Sequence, residues 1–195
     1  MIYPIIPYGQ PVLRKQAQAI PYGTDVKQLI ADMFATMDSA NGVGLAAPQI
    51  GKSIQLFVVD ITSFMDPGAE SKQGRQAYIN PIVTFPTHHS IVYEEEGCLS
   101  IPQLYGRIPR HKAIQIKFFD DAWNPQEENL EDFPARVVQH EYDHLLGKLH
   151  IDYLLSTIKG DQRHSLEAQL RSIQKGDVEV NYPMLFRQRA IIKTR

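Results

Sequence analysis

The stretch Gln139 to Gly147, QHEYDHLLG, places two histidines four residues apart, with a glutamate directly after the first. On a helix, His140 and His144 lie about 40° apart around the axis and share one face. Glu141 stands at the edge of that face. Two imidazoles one turn apart can hold one metal ion, and a carboxylate beside them can reach a water bound to it. This is the chemistry of metal-assisted hydrolysis, with the glutamate as general base. Two ligands do not complete such a site. A catalytic metal of this kind takes three protein ligands and leaves one position open.

Three sources of the third ligand stand open. Cys98, the one cysteine, lies in EEEGCLSIP, and its thiolate is a strong ligand for zinc or ferrous iron. Glu167, on a later helix, gives the two-His, one-Glu set of a metallo-endopeptidase. The remaining histidines are His88, His89, His111, His150 and His164, of which His88 and His89 read as solvated in the turn-like PTHHS. A purely structural metal is closed by four protein ligands, whereas three ligands plus a carboxylate placed as a base point to an open, catalytic position.

These side chains need a scaffold. Val138, Tyr142, Leu145, Leu146 and Leu149 cover the side of the helix away from the histidines, so that side packs into a core. Asp132 is the expected N-cap, Pro134 a first-turn residue and Gly147 the residue just past the end. Upstream, Val26, Leu29, Ile30, Met33, Phe34 and Met37 recur at helical spacing, with Thr24 as the expected N-cap and Gly42 near the end. Residues 11–20 and GVGLAAPQIG read as loops, the second because Gly, Ala and Pro disfavour a regular element. IQLFVVDI and AIQIKFFD read as strands, and AYINPIVTFP and HHSIVYEEEGCLS as extended segments. DAWNPQ reads as a hairpin turn into a returning strand, EENLEDF. The polar stretch TSFMDPGAESKQGRQ is expected to be an exposed loop, HIDYLL a short segment after the metal helix, and 161–174 a second amphipathic helix. The fold class predicted is α+β, with mixed or antiparallel strands packed around a central metal-binding H-E-x-x-H helix.

The 195 residues are 43% hydrophobic and 22% charged, which suits one catalytic domain with a substantial core. A tail of uncertain order is expected after about residue 176. The formal net charge of −2 offers no basic excess for a nucleic-acid partner. No apolar run is long enough for a membrane span. MIYPIIPYGQPVLRK lacks the basic region and small-residue cleavage site of a secretory leader. A single cysteine allows no intrachain disulfide, and a cytoplasmic enzyme is expected.

Three segments together resemble peptide deformylase: GVGLAAPQ (Gly42 to Gln49), EGCLS (Glu96 to Ser100) and QHEYDH (Gln139 to His144). The similarity extends to GQPVLRK and to LLGKLHIDYL, and so covers roughly residues 8 to 155. The resemblance implies that Cys98, His140 and His144 bind one divalent metal ion, with a water in the fourth position. Ferrous iron is the ion expected in the cell, with zinc, nickel or cobalt able to replace it. Glu141 is then the general base and acid. The backbone N–H of Leu99 and the side-chain amide of Gln49 hold the oxyanion. The substrate implied is the N-formylmethionyl end of a nascent peptide, and the product is formate. Val43, Gly44, Glu96, Gly97 and Val137 are the expected substrate-binding residues, with Phe133 a further candidate wall of the methionine pocket. Asp143 is expected in an ion pair with Arg136 or Arg110 near the metal. Many family members carry an arginine seven residues after the metal cysteine. Here that position is Tyr105, with Arg107 two residues further on. The basic tail, with Arg187, Arg189, Lys193 and Arg195, is a candidate contact with the ribosome.

Overall fold

Leu56 to Val59 are four apolar residues in succession, and all four are buried. A strand presents alternate residues to opposite faces, so this run needs cover on both sides. The computed structural model, which describes residues 1–62, 74–87 and 90–186, provides that cover. Leu56 and Val58 of strand β2 (Leu56–Asp60) share a cluster with Ile30, Met33 and Met37 of helix α1 (Lys27–Ser39). Phe57 and Val59 share another with Ala135, Val137, Val138 and Leu145 of helix α2 (Asp132–Leu145). Phe57 stacks on Tyr78 with ring centroids 4.7 Å apart. Truncating a side chain so enclosed to alanine costs about 3–5 kcal/mol.

Among the described residues, β2 belongs to a five-stranded sheet. Its order is β1 (Gly44–Ala46), β2, β3 (Arg75–Thr84), β6 (Ala113–Phe119) and β7 (Pro125–Glu131), antiparallel throughout. Strands β4 (Ile91–Cys98) and β5 (Ile101–His111) form a separate antiparallel hairpin, closed by the two-residue turn Leu99–Ser100. The hairpin rests through Ile101 and Leu104 on a third cluster, with Ile151 of α3 (His150–Thr157) and Leu166, Leu170 and Ile173 of α4 (Gly160–Lys175). Helix α2, which carries the H-E-x-x-H motif, lies between sheet and hairpin. The α+β reading holds, with both sheets antiparallel rather than mixed.

Local details differ from expectation for identifiable reasons. Asp132 is not the N-cap of α2. Strand β7 runs straight into the helix, Glu131 still pairs with Ala113, and the Asp132 N–H donates to Lys112 at 2.8 Å. Thr24 does not cap α1, which begins at Lys27, where the Asp25 carboxylate accepts the Lys27 N–H at 3.1 Å. Residues 11–14 of an expected loop form a 3₁₀ turn, as do Ala47–Ile50 directly after β1, so GVGLAAPQIG is not a loop throughout. HIDYLL opens a two-turn helix, α3.

The C-terminus of α2 follows expectation. Gly147, at φ +72°, donates to His144, and Lys148 donates to Asp143. These are the two bonds that satisfy the last carbonyls when a left-handed residue ends a helix. A Cβ on Gly147 would stand 2.7 Å from the Arg14 carbonyl oxygen, so no other residue fits.

Beyond α4 the chain runs back to residue 5: Ile5 donates to Pro183 and Leu185 donates to Ile5, each at 2.8 Å. The basic tail from Arg187, His88, His89 and most of the expected loop between β2 and β3 lie outside the described residues. No described helix is long and apolar enough to cross a membrane.

Candidate metal centre and active-site cleft

Cys98 ends β4, and His140 and His144 stand one turn apart on α2. Docking the hairpin against the helix brings one sulfur and two ring nitrogens within 4.8 Å of one another. The Cys98 Sγ lies 3.3 Å from His144 Nε2. Around a tetrahedral ion with ordinary metal–sulfur and metal–nitrogen lengths, neighbouring ligand atoms stand roughly 3.5 Å apart. One thiolate and two imidazoles converging at this spacing fit a divalent transition-metal ion. Glu167 does not join them: it is paired with Arg163 at 2.9 Å on α4. His111, His150 and His164 are not members of the group either.

The ring of His140 is fixed from behind. Its Nδ1 lies 3.0 Å from Glu96 Oε2, which turns Nε2 toward Cys98. Glu96 is itself held by Arg110, through Nε at 2.9 Å and Nη2 at 3.0 Å, and by Arg136 at 2.6 Å. Burial alone would raise the Glu96 carboxyl, but hydrogen bonds from His140 and Arg110 hold it well below the usual carboxylate range. Asp143 pairs with Arg110 at 2.6 Å and accepts the Tyr153 hydroxyl at 3.1 Å. Arg136 goes instead to Glu94, Glu96 and the carbonyls of Val92 and Ile108. Of the two partners expected for Asp143, Arg110 is the one found. The network ties α2, α3 and the hairpin together with both guanidinium groups buried. Such a network is stabilising only when complete.

Glu141 is buried, and its side chain packs directly on Gly44 of β1. A Cβ at position 44 would stand 2.8 Å from the Glu141 Cδ. The glycine at this position is thus required by the close approach of a carboxylate. Burial pushes the Glu141 carboxyl up to about 7, opposed by the neighbouring His140 and assisted by Glu96. A carboxyl in that range can both take up and return a proton near neutrality. Gln49 is buried beside the same group. Its Oε1 accepts the Ala46 N–H at 2.8 Å, which fixes the amide orientation and points Nε2 at Cys98 Sγ (3.6 Å) and Ser100 Oγ (3.4 Å).

All of this opens on a cleft of about 840 Å³, whose walls include Val43, Gly44, Leu99, Phe133, Val137 and Tyr182. Gly97 and Glu96 also line it, whereas His144 sits behind. Strand β1 is the edge of its sheet, with β2 on one side only.

The model of the polypeptide deformylase family matches residues 2–159. A peptide deformylase from Cytophaga hutchinsonii is 43% identical over 187 residues, which is 95% of this chain and 98% of that protein. The chain belongs to the peptide deformylase family. The crystal structure of peptide deformylase from Thermus thermophilus superimposes with a TM-score of 0.75 at 37% identity, covering 90% of this chain and 99% of the other. That of a peptide deformylase from Legionella pneumophila gives 0.75 at 32%, covering 91% and 98%. Peptide deformylases are metalloenzymes that remove N-formyl groups, and the Cys98–His140–His144 group is one that can bind the metal.

In this deformylase the ring of Tyr105, where many members have arginine, lies against Gly97 at the cleft, while Arg107 donates to the Tyr93 carbonyl at 3.0 Å. Arg107 is not among the residues lining the cleft. Several participants escaped the sequence reading. Tyr153 and Ser100 lie within LLGKLHIDYL and EGCLS, where nothing marks either as a partner of Asp143 or Gln49. Glu179 to Tyr182 line the cleft from the far end of the chain. Arg110, already expected beside Asp143, fits the alternation along β5, where Leu104, Ile108 and Arg110 share the buried face.

Proposed function

We propose that this deformylase removes the formyl group from N-formylmethionyl peptides, with one divalent ion held by Cys98, His140 and His144. The observation that carries this reading is the convergence of that ligand group with Glu141 and Gln49 at one end of a cleft. The free edge of β1 receives the peptide as an added strand, with backbone hydrogen bonds giving register. Val43, Val137 and Phe133 enclose the methionine side chain. The bound ion supplies Lewis acidity, which acidifies water and polarises the formyl carbonyl.

Glu141 takes a proton from water, and the oxygen so released attacks the formyl carbon. Negative charge moves to the former carbonyl oxygen, where the Leu99 N–H and the Gln49 Nε2 donate to it. Glu141 then delivers its proton to the leaving amine as the carbon–nitrogen bond breaks. Formate and a free N-terminus result. Gly97 and Glu96 flank the peptide on the hairpin side.

Ferrous iron is the ion the family resemblance favours, and sulfur with imidazole also accepts zinc, nickel or cobalt. A nascent-chain substrate places the enzyme in the cytoplasm, near the ribosome. Deleting the residues after 183 should weaken ribosome co-sedimentation if the basic tail makes that contact, and unchanged binding removes the tail from the account. The direct test is formate release by anaerobically purified, iron- or nickel-loaded protein. Formyl-Met-Ala-Ser should be hydrolysed and acetyl-Met-Ala-Ser should not. Release from neither, by fully metallated protein, overturns the reading.

A further inference from the structure

The turn Leu99–Ser100 carries the ligand Cys98 on one side, and in the reading above supplies an oxyanion donor. It is held from three directions. Tyr8 donates its N–H to the Ser100 carbonyl at 2.8 Å. Gln49 Nε2 reaches Ser100 Oγ at 3.4 Å and Cys98 Sγ at 3.6 Å. The third tether comes from the far end of the chain: the Tyr182 hydroxyl donates to the Leu99 carbonyl at 2.8 Å. Tyr182 lies beyond residues 2–159, the part matched by the family model.

The segment around Tyr182 is itself fastened. Gln103, held at φ +61°, donates its side-chain amide to the Glu179 carbonyl at 2.9 Å. On the other side of Tyr182, Pro183 and Leu185 bond the backbone of Ile5. Between these fastenings, Glu179, Val180, Asn181 and Tyr182 all line the substrate cleft. Tyr182 also packs against the cluster that contains Ile5, Met37 and Leu45, with Leu99 at its margin. The phenol is therefore held by packing, and its hydroxyl is directed at a peptide group next to the reacting atoms.

We propose that Tyr182 is a positioning residue for the Cys98–Leu99 turn. Its hydroxyl fixes the Leu99 carbonyl, hence the Leu99–Ser100 peptide, and through the Leu99 Cα it restrains the adjoining Cys98–Leu99 peptide, whose N–H is the oxyanion donor and which directly follows the metal ligand. A donor that meets charge in the transition state loses effect when its aim drifts by tenths of an ångström. The defect expected on removing the tether is in turnover rather than in binding of the ground-state peptide. The inference rests on the deformylase reading, and its test separates the two.

Tyr182→Phe removes only the hydroxyl. The full-length variant and wild type are loaded with cobalt, which reports its ligands through visible absorption and sulfur-to-metal charge transfer. Formate release from formyl-Met-Ala-Ser is measured for both. The variant should melt near wild type, lose about three- to tenfold in kcat with KM within about twofold, and show altered cobalt bands. A folded variant with unchanged kcat and unchanged bands overturns the proposal. So does a raised KM with kcat intact, which makes Tyr182 a wall of the cleft and nothing more. If wild type itself releases no formate, the deformylase reading fails first, and the cobalt bands alone decide whether Tyr182 positions the turn.

Discussion

Glu96 and His140 stand 44 residues apart in sequence and 3.0 Å apart in space, carboxylate oxygen to ring nitrogen. Arg110 and Arg136 close on the same carboxylate from β5 and α2. This arrangement sets which nitrogen of His140 faces Cys98, and it keeps Glu96 charged although buried.

Glu96→Ala should therefore damage two things together. Two guanidinium groups lose a buried partner, a loss of about 3–5 kcal/mol in stability measured by urea unfolding. The ring of His140 loses its support, and metal affinity measured by chelator competition should fall about 10- to 100-fold. Unchanged metal affinity in the folded variant excludes the supporting role.

Gly44→Ala should abolish most activity with a smaller effect on stability. The added methyl meets the Glu141 carboxylate, which is the movable group of the pair, so Glu141 gives way. A displacement of about 1 Å at a catalytic group costs roughly 100-fold in kcat/KM. Metal content should stay at wild-type level, because the three atoms nearest the new methyl all belong to Glu141 and none to a metal ligand.

The C-terminus of α2 offers a separate test of the frame. Gly147→Ala combines a left-handed backbone with an overlap on the Arg14 carbonyl. A loss of about 1–3 kcal/mol is expected from the midpoint of denaturation. Gly160→Ala, also at positive φ but with no atom within 4 Å of the new Cβ, should cost less.

His150 is buried near His140, with ring centroids 5.8 Å apart. Burial, and then the positive charge of His140, lowers its pKa to about 3. In the unfolded chain the same imidazole titrates near 6.5. Between those values the unfolded state binds the extra proton, so stability is full above about 6.5 and falls as pH drops toward about 3. His150→Phe should flatten that acid slope and stabilise the protein at pH 5 relative to pH 7.5, as read from urea midpoints of the metal-free proteins, in which His140 can carry its charge. An unaltered slope places the acid sensitivity elsewhere.

The legible part of this protein is what local periodicity controls. The spacing of His140, Glu141 and His144 put three groups on a common face before any fold was known. The apolar repeat of α1 and the four-residue run of β2 reported their burial in the same way. The partnership of Cys98 with these histidines depends on docking a hairpin against a helix, a relation between segments that no local pattern encodes; only the family resemblance supplied it. Glu94, Glu95 and Glu96 look alike in sequence, yet Glu96 alone is buried, because pairing within the hairpin turns it toward Arg110 and Arg136. GVGLAAPQ reads as a loop because small residues have weak strand preference. It forms β1 because its backbone pairs with β2 and its small side chains admit Glu141 and α2. Tyr182 lies past every motif, and its place at the cleft follows from the return of the chain to Ile5.

The most direct measurement of the central claim compares wild type with Glu141→Ala, each purified without oxygen, loaded with nickel and assayed for bound metal and for formate release from formyl-Met-Ala-Ser. The expected result is equal metal content with formate released by wild type and essentially none by the variant, because, as proposed, Cys98, His140 and His144 hold the ion while Glu141 moves the proton. Formate release by a fully loaded Glu141→Ala variant at the wild-type rate contradicts the account and removes Glu141 from the chemistry.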